Sequence, residues 1–111
     1  MKTDDGWIFV GTVVWLTSDQ GGRTTGPPLP NPDIDYFTTA YVPPLNARNG
    51  LASFGLRNFE AGAWKSPAEG RWLIVENSGD QLVQPGSVVV VTEGSRDVAY
   101  FHVEQVLGTQ E

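Results

Sequence analysis

Residues 86–107 read Gly86-Ser87-Val88-Val89-Val90-Val91-Thr92-Glu93-Gly94-Ser95-Arg96-Asp97-Val98-Ala99-Tyr100-Phe101-His102-Val103-Glu104-Gln105-Val106-Leu107. The four valines between Ser87 and Thr92 make a short run, β-branched and apolar throughout, which suits a strand buried on both faces better than a helix. Glu93-Gly94-Ser95-Arg96-Asp97 is a brief run of turn formers, so the next strand, Val98 to Leu107, returns as the second arm of a hairpin. Along that arm Ala99, Phe101, Val103 and Gln105 fall on one face, and Val98, Tyr100, His102, Glu104 and Val106 on the other.

The same texture repeats upstream of this hairpin. Gln84-Pro85-Gly86 is a Pro-Gly turn that launches the valine strand. Upstream of it, Arg71-Trp72-Leu73-Ile74-Val75-Glu76 is expected to be the fourth strand, with Gly62, Pro67 and Gly70 marking the break before it. Ala52 to Phe59 makes a third strand, and Ile34 to Val42, ending against Pro43-Pro44, a second. Trp7 to Thr17 is the first, too rich in valine and aromatic residues to prefer a helix. Between the first two lies the longest loop, Ser18 to Pro32, dense in Gly and Pro. Six short strands at regular spacing predict an all-β fold, a small antiparallel barrel or sandwich. Closure into a barrel is favoured because it removes the edges that Val88–Val91 would otherwise expose.

Composition supports this. At 111 residues, the chain is expected to form a single domain, 1–111, burying about two thirds of its unfolded surface. With 40% hydrophobic and 18% charged residues it can offset the entropy of ordering, which argues against disorder. Cysteine is absent, which excludes disulfide and thiolate chemistry. Met1-Lys2-Thr3-Asp4-Asp5-Gly6 has no apolar core of a secretory signal, and no stretch approaches the roughly 20 apolar residues of a membrane span, so a soluble, cytoplasmic protein with no membrane partner is expected. Thirteen acids against seven bases leave a net charge of −6, which disfavours general binding to phosphate backbones.

Nothing in the residues assembles a catalytic set. His102 has no second histidine and no cysteine to complete a metal site, and it reads as an ordinary strand histidine. A pairing of His102 with Ser87 or Ser95 lacks a nucleophile elbow and a placed acid. Asp33 and Asp35 lack the glycine and terminal glutamate of a calcium loop and read as a solvated turn. The expectation is a protein that is not an enzyme, with no cofactor and no metal. The residues suited to recognition are Arg23 and Arg96, each after a glycine-containing turn, where a guanidinium braces loop carbonyls, pairs with Asp19, Glu93 or Asp97, or faces a partner. Trp64 joins them, because it sits in the loop Glu60-Ala61-Gly62-Ala63-Trp64-Lys65-Ser66-Pro67 with no periodic pattern to bury it.

Two blocks at the ends of the chain carry a family resemblance. Val13-Val14-Trp15-Leu16-Thr17-Ser18-Asp19-Gln20-Gly21-Gly22-Arg23-Thr24-Thr25 resembles the first strand and Gly-Gly-Arg loop of the C-terminal barrel, the third domain, of elongation factor Tu. Gly86 to Leu107 is similar to the closing hairpin of that domain, with its Glu-Gly-x-Arg turn at Glu93-Gly94-Ser95-Arg96. The resemblance implies a six-stranded Greek-key barrel of the kind that contacts a GTPase domain and the T-stem backbone of aminoacyl-tRNA. The chain has no Gly-x-x-x-x-Gly-Lys-Ser/Thr loop, so the expectation is the barrel alone, without GTP binding. The family's Gly-Tyr-Arg-Pro segment is replaced by Pro27-Pro28-Leu29-Pro30-Asn31-Pro32-Asp33, and a basic position before the Glu-Gly turn is Thr92.

The expected function is therefore a stand-alone, non-catalytic protein-interaction module. Its partner-binding set is Gly21, Gly22, Arg23, Trp64, Glu93, Gly94 and Arg96, and its partner a protein: a toxin or enzyme that it neutralises, or a translation-linked GTPase. The alternative is an RNA-binding barrel with a positive stripe over Arg23, Arg48, Arg57, Arg71 and Arg96. A small enzyme or ligand-binding barrel ranks last, because six-stranded barrels are filled by their own side chains.

Overall fold

Along Phe9–Trp15 buried and half-buried residues alternate at every step, with Phe9, Val13 and Trp15 turned inward and Val10, Thr12 and Val14 outward. A period of two over seven residues is a strand with one face on a core. In the computed structural model, which describes residues 7–24, 26–27, 35–43, 51–73, 83–94 and 96–107, this strand is β1. It is followed by β2 (Tyr36–Tyr41), β3 (Ala52–Arg57), β4 (Lys65–Trp72), β5 (Val88–Glu93) and β6 (Arg96–Val106).

The strands close into a barrel in the order β1-β4-β3-β2-β5-β6, with every neighbouring pair antiparallel. Because β2, β3 and β4 are successive neighbours, while β5 lies beside β2 and β1 beside β4, the connectivity is a Greek key. The expected class, a small six-stranded antiparallel Greek-key barrel, is the fold observed. No helix of the described residues is long and apolar enough to cross a membrane.

Phe54, fully buried on β3, sits at the centre of the core. Its ring lies 4.9 Å from that of Trp72, 6.1 Å from Phe101 and 6.4 Å from Phe9. These rings fill the barrel's interior, and that volume dictates what β4 is allowed to carry on the same face. A Cβ added at Gly70 would stand 2.7 Å from the tip of Phe54 and 2.9 Å from Phe101.

This explains the one strand placed wrongly from sequence. The fourth strand runs over Lys65–Trp72, not Arg71–Glu76, and residues 74–76 of the expected span lie outside those described. Its inward face is Ser66, Ala68, Gly70 and Trp72. The alternation is intact, but three of the four residues are small, because the phenylalanines already occupy the centre. Pro67 lies beyond the last β3–β4 partners, Arg57 and Glu69, on the part of β4 that pairs with β1. A strand proline is tolerated where only one side needs a ladder.

Smaller shifts have local causes. β3 ends at Arg57 and not at Phe59, since Asn58 takes a positive φ of 64° that leaves the extended region. β2 begins at Tyr36, and Ile34, its expected first residue, lies outside the described residues. On β6 the register against β1 skips from Gln105 to Val103, so Glu104 is left unopposed and its carboxylate accepts the Thr12 hydroxyl at 2.8 Å. A second skip, opposite Val91 and Thr92, turns Val98 into the core beside Ala99.

Candidate functional site

In an antiparallel barrel the ends of alternate strands meet at each rim. At one rim the C-terminal ends of β1, β3 and β5 meet the N-terminal ends of β2, β4 and β6. Three aromatic rings plug this end: Trp15 from β1, Tyr36 from β2 and Phe59 just beyond β3. Their centroids lie 5.5 Å (Trp15–Tyr36), 5.6 Å (Trp15–Phe59) and 6.3 Å (Tyr36–Phe59) apart, all edge to face, an arrangement that aligns positive ring edges with negative faces.

The plug ends in a polar layer. Tyr36 donates its hydroxyl hydrogen to Glu93 Oε2, and the same oxygen takes Arg23 Nε at 3.2 Å. Burial of the ring, then the Glu93 carboxylate, pushes the Tyr36 phenol well above the usual phenol range, so it stays a neutral donor. Arg23 also reaches the Gly26 carbonyl through Nη1 at 3.3 Å. Arg96, at the head of β6, donates from Nη1 to the Gly22 carbonyl at 3.2 Å.

The Gly-Gly pair makes this possible. Gly21 closes a short 3-10 turn, Ser18–Gln20, with a φ of 89°, a conformation that costs glycine little. Gly22 then passes so close to β1 that a Cβ would fall 2.3 Å from the Leu16 carbonyl oxygen. Its own N–H is bound to the Thr17 carbonyl at 2.8 Å. Pressed inward in this way, the loop offers the Gly22 carbonyl to Arg96 and sets Arg23 over Glu93.

Gly94 follows Glu93 with a φ of 61° and lets β5 turn back into β6. The four side chains of Arg23, Thr24, Glu93 and Arg96 line an open cleft of about 260 Å³. Beside it stands Trp64. Its carbonyl accepts the Trp15 N–H at 2.8 Å, which fixes the backbone, while the residue is left 45% exposed. A Cβ at Gly26, the residue that Arg23 grips, would lie 3.7 Å from that ring. Trp7, Trp15 and Trp72 are by contrast exposed by 5% or less.

The structure thus gathers Gly21, Gly22, Arg23, Trp64, Glu93, Gly94 and Arg96 at one end of the barrel. Sequence reasoning missed Tyr36, Thr24 and Gly26. Tyr36 binds a partner 57 positions away, and no local pattern reports such a link. His102 lies on the outer wall, opposite Thr12 and Val88. Arg57 pairs with Glu69 at 2.7 Å and stacks 4.6 Å over the Trp7 ring, and Arg71 lies 5.8 Å from the same ring. Arg48 and Asp33 are outside the described residues. Among those described, no group of three or more His, Asp or Glu gathers as a metal site would require.

The fold and rim define a closed Greek-key barrel with a charged cleft and one exposed tryptophan at a plugged end. No family model, no curated protein and no solved structure matches the chain.

Proposed function

We propose that this chain is a non-catalytic protein-interaction module, similar to the third domain of elongation factor Tu, that holds a protein partner on the plugged rim. The surface is formed by the Gly21-Gly22-Arg23 loop, Trp64 and the Glu93–Arg96 turn. The observation that carries this reading is Trp64: one large aromatic residue left 45% exposed, on a backbone fixed to β1, beside polar groups already held in place. A rigid aromatic next to oriented charges is the composition of a binding hot spot. The partner fits a toxin or enzyme that the barrel neutralises, or a translation-linked GTPase.

Two features favour protein over RNA. Thr92, where the resembled family carries a basic residue, is 1% exposed, and its hydroxyl lies 2.6 Å from that of Thr39. Two of the arginines that a phosphate-tracking stripe requires, Arg57 and Arg71, stack on Trp7. The experiment is affinity capture with the tagged full chain, comparing wild type, Trp64→Ala and the outer-wall control His102→Ala. A protein retained by wild type and by His102→Ala but lost with Trp64→Ala is the expected outcome. Capture of tRNA alone, or of a protein indifferent to Trp64→Ala, would refute the reading.

A further inference from the structure

The rim cleft carries two guanidinium groups against one carboxylate, a local positive excess in a chain whose net charge is −6. The internal pairing does not use it up. Glu93 engages Arg23 and Tyr36 through the single oxygen Oε2. Arg96 is an exposed residue that spends one Nη1 donor on the Gly22 carbonyl, and the rest of its guanidinium meets no other hydrogen-bond acceptor among the described residues. An arginine offers five donors in a rigid planar fork. Anchoring one of them to a backbone carbonyl orients the others without neutralising the charge. Glu93 and Arg96 are the closing pair of the β5–β6 hairpin, so the barrel fixes the backbone that carries Arg96, and the bond to Gly22 orients its guanidinium.

We infer that this cleft is a carboxylate-binding site. An Asp or Glu side chain, or the terminal carboxylate, of the protein partner takes the open edge of Arg96, with Thr24 lining the same space, while a neighbouring apolar side chain of the partner covers Trp64. This rests on the reading of the rim as a protein-binding surface. A planar two-oxygen acceptor matches the guanidinium fork, which a point charge does not require. A protein carboxylate suits the surroundings better than a phosphate backbone. One acid brought in beside an apolar contact meets the local positive excess, whereas a polyanion also meets the repulsion of an acidic chain at long range. In this arrangement Glu93 is an internal competitor that holds Arg23 and sets the affinity for an incoming acid.

The test is a titration of the full chain followed by nuclear magnetic resonance of the arginine Nε–H and tryptophan indole signals. The probe is N-acetyl-leucyl-glutamate amide, with the glutamine analogue and inorganic phosphate as comparisons. The acidic peptide is expected to bind in the millimolar range and to shift the Arg96 and Trp64 signals, with the glutamine peptide weaker. Arg96→Gln is expected to weaken binding by about threefold or more, and Arg96→Lys to recover only part of that. Glu93→Gln keeps an acceptor for Tyr36, removes the competing charge and is expected to tighten binding. The inference is overturned if the acid and amide peptides bind equally, if Arg96 does not respond at saturating peptide, or if phosphate binds more tightly than the carboxylate. The two readings fail separately. A cleft inert to acids beside a Trp64-dependent partner sinks the carboxylate site alone, and a live carboxylate site without a Trp64-dependent partner sinks the rim reading alone.

Discussion

Tyr36 at the head of β2 hands its hydroxyl hydrogen to Glu93 at the end of β5, so the aromatic plug and the charged rim are one connected unit. The phenol is held neutral by burial and by the carboxylate beside it. Removing it with Tyr36→Phe is expected to cost about 1 kcal/mol, read as a lower urea midpoint at unchanged slope. The pH dependence has a definite sign. A group whose folded pKa lies above its unfolded value of 10.0 stabilises the fold fully below that pH and loses the contribution as pH rises. Wild type should therefore lose stability from about pH 10 upward more steeply than Tyr36→Phe.

Gly22→Ala would place a methyl carbon 2.3 Å from the Leu16 carbonyl oxygen. Neither atom belongs to a flexible side chain, so the loop must move. The expected loss is about 1–3 kcal/mol, measured by thermal denaturation, together with release of the Arg96 anchor on the Gly22 carbonyl.

Phe54 and Gly70 share one volume. Phe54→Ala is expected to cost about 3–5 kcal/mol through the cavity it leaves. Gly70→Ala is also expected to destabilise, since its new carbon would meet the Phe54 ring at 2.7 Å. In the double variant Phe54→Ala/Gly70→Ala the two changes should partly offset each other, giving a clearly smaller loss than the sum of the singles in a denaturation cycle.

Trp64 is the exposed member of four tryptophans. Iodide should quench a single accessible component of the fluorescence, and Trp64→Phe should remove it. Quenching that survives this substitution would show another indole to be open to solvent.

The β5–β6 hairpin was legible because its information is local. Val88–Val91 form one unbroken β-branched run, buried from Val89 to Val91, and Gly94 marks the turn. The Gly-Gly-Arg loop and the Glu93–Arg96 turn were legible as candidates for the same reason: turn residues and cations stand together in the chain. β4 was not. Its inward residues Ser66, Ala68 and Gly70 are small because Phe54 and Phe101 fill the space opposite, so a search for large apolar side chains passes over them, and Pro67 reads as a break. The assembly of the rim was equally hidden. Arg23 meets Glu93 and Arg96 meets Gly22 only because β1 and β5 end on either side of the start of β6 in the closed sheet.

The proposed role of the plugged rim, to meet a protein partner, is tested most directly by photo-crosslinking in cells, with a benzophenone amino acid placed at Thr24 in the cleft or, as a control, at the exposed His102 on the outer wall. The expected result is a discrete protein adduct from position 24, abolished by Trp64→Ala, and none from position 102. An adduct only from position 102, or one from position 24 that is RNA, would contradict it.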